Sequence, residues 1–233
     1  MPPQVRECGG GKLICPGDGL GGTWIGVSDS AVALALLNLN VAAPIAKTAR
    51  QRRSRGSVIP ALGGVRGVVD MRRALNFFEL PGFAPFRLVG VFPREKQICE
   101  WRWDLTQVAT SEYGWESHHW FSSSLSDEQA QSARGSACSD AWREPDAGSR
   151  PWLRRLHASH AGVPGPLSVC VHRSDVKSLS YTEIECTPVS VRLEHFVGSP
   201  CEIFSAYRCK SGRNRGMNLH VEKSEMLDLR GQM

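Results

Sequence analysis

The sequence predicts an α+β fold, strand-rich with helices in two clusters, and three observations predict it. Residues 86–92 and 97–103 are apolar and aromatic runs on either side of the turn Pro93-Arg94-Glu95-Lys96, the pattern of a hairpin. Residues 179–186 and 189–196 repeat that pattern around Thr187-Pro188. Between the two pairs, Ser126-Asp127-Glu128-Gln129 carries a capping box: the Ser126 hydroxyl can accept from the Gln129 amide while the Gln129 side chain returns to the cap.

The remaining elements follow in chain order. Gly-rich residues 19–22 form a turn, and Thr23-Trp24-Ile25-Gly26-Val27 reads as a strand, with Trp24 in the core. After a Ser28-Asp29-Ser30 turn, residues 32–39 are continuously apolar, as in a strand buried on both faces. Residues 42–56 are basic and Pro-punctuated, a surface connection. Residues 68–80 place Val69, Leu75, Phe78 and Leu80 near helical spacing, and Pro81-Gly82 ends the helix. Residues 118–122 are a short strand candidate. The capped helix runs to about Trp142, a second short helix covers 152–160, and 203–209 is a last strand candidate. One domain over 1–210 is expected, followed by a polar, poorly ordered tail over 211–233.

Composition narrows the function. Hydrophobic residues at 41% and charged residues at 22% are globular proportions, which exclude wholesale disorder. The net charge of +5 is modest, and its clusters at 50–55 and 208–215 lack interleaved aromatics, so no nucleic-acid partner is expected. No run reaches the roughly 18 apolar residues of a membrane span. The eight cysteines show no CxxC pair and no zinc-finger spacing, and residues 1–17 lack the charged start and apolar core of a signal peptide. A cytoplasmic protein with reduced, buried cysteines is expected, with no metal and no cofactor. His157 and His160, three apart on a helix, read as surface histidines. His118 and His119 would point to opposite faces of a strand, so joint ligation is not expected.

Several short segments carry a resemblance. Gly17-Asp18-Gly19-Leu20-Gly21-Gly22-Thr23-Trp24, followed by Leu36-Leu37-Asn38, resembles the NRDE family, also called the transport and Golgi organisation 2 family. Ser54-Arg55-Gly56 with Leu62 is similar to its SRG-x-L segment, Pro85-Phe86-Arg87-Leu88 to its PF-x-L strand, and Trp103-Asp104 to its next tryptophan strand. Ser122-Ser123-Ser124 sits at its serine turn, and His172-Arg173 with Ser180-Tyr181-Thr182 resembles its late strand. The resemblance covers residues 13–200. Gly21, Gly22, Thr23, Trp24 and Asn38 are its signature positions.

The resemblance implies an Ntn-hydrolase-like αββα sandwich, two stacked antiparallel sheets flanked by helices, incomplete here at its amino terminus. In such enzymes one leading Cys, Ser or Thr attacks a carbonyl, and its own α-amine, titrating at about 7.7–8.0, acts as base. Here Pro2 follows Met1, no Asn-Arg-Asp-Glu string occurs, and the first cysteines, Cys8 and Cys15, are internal. Three explanations fit: a start read too far downstream, a truncated gene, or a member that binds rather than cleaves. Arg173 and Ser123 are the catalytic candidates, as substrate-orienting and oxyanion donors. The alternative for Ser123 is the turn before the capped helix. Small-molecule partners are expected: an amide substrate for a hydrolase, or haem or a lipid-like ligand for a non-catalytic carrier. Phe77, Phe78, Phe83, Phe86, Trp101 and Trp103 could line a pocket, or serve as core.

Overall fold

The structure, a computed structural model, describes residues 1–40, 53–160, 162–208 and 223–229. Most of the basic connection at 42–56 and most of the basic cluster at 208–215 lie outside the described residues. The fold is α+β with two antiparallel sheets. The chain divides into two compact units. The first comprises Met1–Ser117, Glu183–Glu194 and the described residues from Lys223; the second comprises His118–Thr182 and the described residues from His195 to Arg208.

The first unit is built on a seven-stranded meander of β1 (Pro3–Cys8), β2 (Gly11–Pro16), β3 (Ile25–Ser28), β4 (Ala33–Asn38), β5 (Phe86–Phe92), β6 (Gln97–Trp103) and β7 (Val108–Tyr113), each antiparallel to its neighbours in sequence order. Sequence reasoning assigned nothing before residue 17. Yet Gly9 (φ 57°) and Gly10 (φ 85°) close β1 onto β2 as a tight hairpin, because a two-residue loop with both central φ positive matches strand twist. Residues 86–92 and 97–103 pair from Phe86↔Trp103 to Phe92↔Gln97, as their alternation and the intervening turn require.

Period-two alternation sorts this sheet into two apolar faces. One carries Leu34, Phe86, Leu88, Phe92, Trp101 and Trp103 and packs on α1 (Val58–Leu62) and α2 (Val68–Phe77). α2 turns Val68, Met71 and Leu75 inward; Val69, placed on the apolar stripe by the sequence, is exposed, as is Phe77. Phe83, Phe86, Trp101 and Trp103 are core rather than pocket lining. On the opposite face, Ile14, Val27 and Ala31 pack with Val191, Leu193 and Leu229. The last three belong to or follow the three-stranded sheet of β8 (Ser180–Cys186), β9 (Ser190–Val197) and β10 (Lys223–Asp228), ordered β10-β9-β8. The tail expected to be irregular thus supplies a strand.

The second unit contains α3 (Asp127–Ala141), α4 (Arg150–His157) and α5 (Pro200–Arg208). The Ser126 hydroxyl accepts from the Gln129 amide at 3.2 Å and caps α3 as its sequence predicts. Ser149 caps α4 through the Trp152 amide, with Pro151 in the first turn. Tyr181, Phe196 and Phe204 form the apolar cluster of this unit.

Three expectations fail here. Residues 118–122 are irregular rather than a strand. Residues 203–208 are helical, because Ser199-Pro200 starts α5: the Ser199 carbonyl accepts from Glu202 and Ile203, and proline has no amide to leave unpaired at a first helical position. Trp24 lies just before β3 and is 40% exposed, outside the core.

Candidate functional site

The signature positions gather at one end of the first unit. Asp18 organises the Gly-rich turn, its Oδ1 accepting from the amides of Leu20 (2.9 Å) and Gly22 (2.7 Å), while Gly21 takes φ 86°. Such an Asx turn sets the backbone before the strand begins. Arg6 donates to the Gly21 carbonyl at 2.5 Å. The Thr23 amide donates to the Gly56 carbonyl at 2.9 Å, and a methyl added at Gly22 would lie 3.1 Å from the Gly56 Cα. Ser54 caps the turn Arg55–Ser57, and Arg55 donates to the Pro85 carbonyl at 2.9 Å. Asn38 stands opposite Phe86 in the β4–β5 register. Residues far apart in sequence, 21–24, 38, 54–56 and 85–86, therefore converge. Two arginines of the basic cluster serve internal contacts: Arg55 as above, and Arg53 with its guanidinium 4.4 Å from the Phe83 ring centroid.

The close approach of two glycine backbones is testable. Gly22→Val should cost about 1–3 kcal/mol in urea denaturation, because the side chain must displace Asp18 or separate residues 22 and 56. Gly19→Ala, where nothing lies within 4 Å of the added carbon, should stay within about 0.5 kcal/mol. Equal stability of the two variants would refute the packing argument.

Cys15 is fully buried beside this turn, and burial raises its thiol above the ordinary range despite the opposing charge of Arg6. Burial raises Cys8 as well, again against Arg6. Both are held as thiols rather than as nucleophilic thiolates.

The catalytic candidates lie in the second unit. Ser123 is buried; its Oγ accepts from the Leu125 amide at 3.2 Å, and its own amide donates to Asp127 Oδ1 at 2.8 Å. Those bonds are those of the turn leading into α3. Arg173 donates to Ser124 Oγ at 2.9 Å and pairs with Asp175 at 2.8 Å. The structure thus joins the 122–124 turn to Arg173 through Ser124 rather than Ser123. Arg134, buried within α3, supports the same turn through the Ser122 carbonyl (3.1 Å) and holds the Pro166 carbonyl (3.0 Å); burial lowers its pKa.

A second constellation was not foreseen. His160, Cys170, His172 and Cys201 present four donor atoms within 4.8 Å of one another. Cys170 Sγ lies 3.6 Å and Cys201 Sγ 3.2 Å from His172 Nε2. The backbone fixes the segment carrying two of them: the Cys170 amide donates to the Ser159 carbonyl (2.9 Å), His172 to Gly165 (3.1 Å), and Ser178 to Val171 (3.0 Å). Burial chiefly pushes the Cys170 thiol up to about 11. Burial, then the neighbouring His172, lowers His160. His160, read from the sequence as a surface residue, has a buried Nε2 with no hydrogen-bond partner among the described residues. His157 instead packs on Tyr181, ring centroids 5.2 Å apart, and His118 and His119 lie outside the cluster. The signal in the sequence was Cys170-x-His172, a thiol and an imidazole two residues apart.

Beside α4 and α5 lies a cavity of about 690 Å³, lined by Arg154, Arg155, Ala158, Phe204 and two of the cluster's residues, His160 and Cys201. The Arg154 guanidinium lies 5.1 Å from the Phe196 ring centroid and 5.7 Å from that of Phe204. Arg155 is paired with Glu144 (2.8 Å) and Asp146 (2.6 Å). A smaller cavity of about 340 Å³ in the first unit is bounded by apolar residues including Ile25, Val89, Val91 and Ile184. Among the described residues no helix is long and apolar enough to cross a membrane. No known protein-family model matches the chain, and a search of curated proteins returns no match.

Proposed function

We propose that this chain is an NRDE-type protein, of the transport and Golgi organisation 2 family and Ntn-hydrolase-like in architecture, whose role is to bind a small amphipathic molecule rather than to cleave an amide. Kinship is supported by the convergence of the resembling segments: Thr23 meets Gly56, Arg55 meets Pro85, and Asn38 stands opposite Phe86. Scattered look-alike segments have no reason to meet in space.

One observation carries the binding role, the cavity of about 690 Å³ beside α4 and α5. That volume suits a molecule of drug size or a cofactor. Its lining joins aromatic and aliphatic surface to the Arg154 guanidinium, Arg155 being paired with Glu144 and Asp146, which suits an apolar body bearing a carboxylate, such as haem or a lipid-like acid. Cys8 and Cys15, held protonated by burial, favour binding over nucleophilic attack.

Titration of the full chain with haem, followed at the Soret band, tests this reading. Saturable binding at about one haem per chain is expected, weakened about tenfold or more by Phe204→Ala, since aromatic anchors dominate such sites. No Soret shift with excess haem, together with no displacement of a bound fluorescent fatty acid, refutes it. Turnover of a small amide substrate by the same preparation would restore the hydrolase reading.

A further inference from the structure

We infer that His160, Cys170, His172 and Cys201 form a tetrahedral zinc site. The proposal is independent of any ligand in the neighbouring cavity. Four donors of two kinds arrive from separate stretches: His160 just after α4, Cys170 and His172 from the connection that follows, and Cys201 from the first turn of α5. Residues so distant in sequence gain nothing as apolar core from gathering their polar atoms. A common cation accounts for it.

The geometry fits zinc. Zinc–sulfur bonds of about 2.3 Å and zinc–nitrogen bonds of about 2.0–2.1 Å make the sulfur–nitrogen edge of a tetrahedron about 3.6 Å. The two measured edges, Cys170 Sγ–His172 Nε2 and His172 Nε2–Cys201 Sγ, are 3.6 and 3.2 Å, and no pair of donor atoms exceeds 4.8 Å. Small side-chain rotations about a central ion close the rest.

A second observation points the same way. A buried ring nitrogen without a partner costs free energy, and His160, a member of the cluster, has such an atom in Nε2 among the described residues. A disulfide between Cys170 and Cys201 would use two of the four residues and leave that nitrogen unsatisfied. Zinc satisfies all four. Loading would displace two thiol protons, leaving Zn²⁺ with two thiolates and two neutral imidazoles, so the partly buried site carries no net charge. Thiolate and imidazole together select zinc over magnesium or calcium.

Four protein ligands fill the coordination sphere, the arrangement of a structural rather than a catalytic zinc. The metal would tie α5 to the irregular stretch after α4. It would also form part of the wall of the 690 Å³ cavity, through His160 and Cys201.

Metal analysis of the full chain after incubation with equimolar zinc and gel filtration tests the assignment. About one zinc per chain is expected. Cobalt in its place should give the sulfur-to-metal charge-transfer band and the intense visible bands of a tetrahedral thiolate site. Cys201→Ser and His172→Gln should lose the metal, while Cys186→Ser, outside the cluster, should keep it. Chelation should lower the melting temperature by about 5–10 °C. Zinc well below one per chain, with no cobalt charge-transfer band in the unmutated protein, overturns the proposal whether or not the variants fold. A Cys170–Cys201 disulfide that reduction and added zinc do not convert to the metal form overturns it as well.

Discussion

Glu100→Ala should destabilise the protein by about 3–5 kcal/mol in guanidinium denaturation, the expected cost of breaking a buried ion pair from one side. Glu100 lies on β6 with its side chain 5% exposed, and Arg87 Nε on β5 approaches its Oε1 at 2.7 Å. The Tyr113 hydroxyl on β7 donates to Oε2 at 2.6 Å. Register explains the meeting: Arg87 stands opposite Arg102, and Glu100 opposite Val89 and Ser111, so Arg87 and Glu100 are diagonal neighbours on one face. Alanine would leave a largely buried guanidinium and a phenol without their acceptor. Replacing both charges, as Arg87→Met with Glu100→Leu, should recover most of the loss, because a buried pair contributes little beyond an apolar pair of similar size. A single variant within about 1 kcal/mol of the parent would show the pair to be solvated and the argument mistaken.

Trp101→Ala should cost about as much, 3–5 kcal/mol, through a different term. Trp101 follows Glu100 on the same strand and therefore faces the opposite way, into the layer between the large sheet and α1 and α2. It is 2% exposed and meets Phe92 edge to face, with centroids 6.2 Å apart at 84°. Its ring fills the notch over Gly90, where an added Cβ would come within 2.9 Å of it. Truncation empties that notch, and backbone on one side and helices on the other limit collapse. Trp101→Phe should cost clearly less, because part of the volume and the aromatic contact are kept. Similar midpoints for the two variants, with unchanged denaturant slopes, would contradict a cavity cost.

Legibility in the sequence followed how local the determining physics was. β5 and β6 were readable to the residue because alternation and a four-residue turn lie within one stretch. The start of α3 was readable because its cap is a bond between neighbours, Ser126 and Gln129. α5 was misread because Ile203, Phe204 and Tyr207 are strand formers, while the start signal was only Ser199-Pro200. β1 and β2, with charges at Arg6, Glu7 and Lys12, offer a weak pattern, and their pairing rests on the Gly9-Gly10 turn. β10 is polar along much of its length, and Leu229, which anchors it, has meaning only beside Val191 and Leu193. At the site, the signature glycines were visible, but not that residues 22 and 56 would touch. The four-residue cluster was missed because no pair has familiar zinc-site spacing; only folding brings His160 and Cys201 to Cys170 and His172.

The first unit is discontinuous, assembled from residues before 118, from 183–194 and from 223 onward. Its second apolar face is closed by Leu229 together with Val191 and Leu193. A ribosome making this chain therefore releases the large meander long before the strands that cover it exist. Ile14 and Val27 must wait about 160 residues for Val191 and Leu193, and longer still for Leu229. Translation halted before residue 183 would leave a nascent polypeptide with a bare greasy surface, a natural client for chaperones.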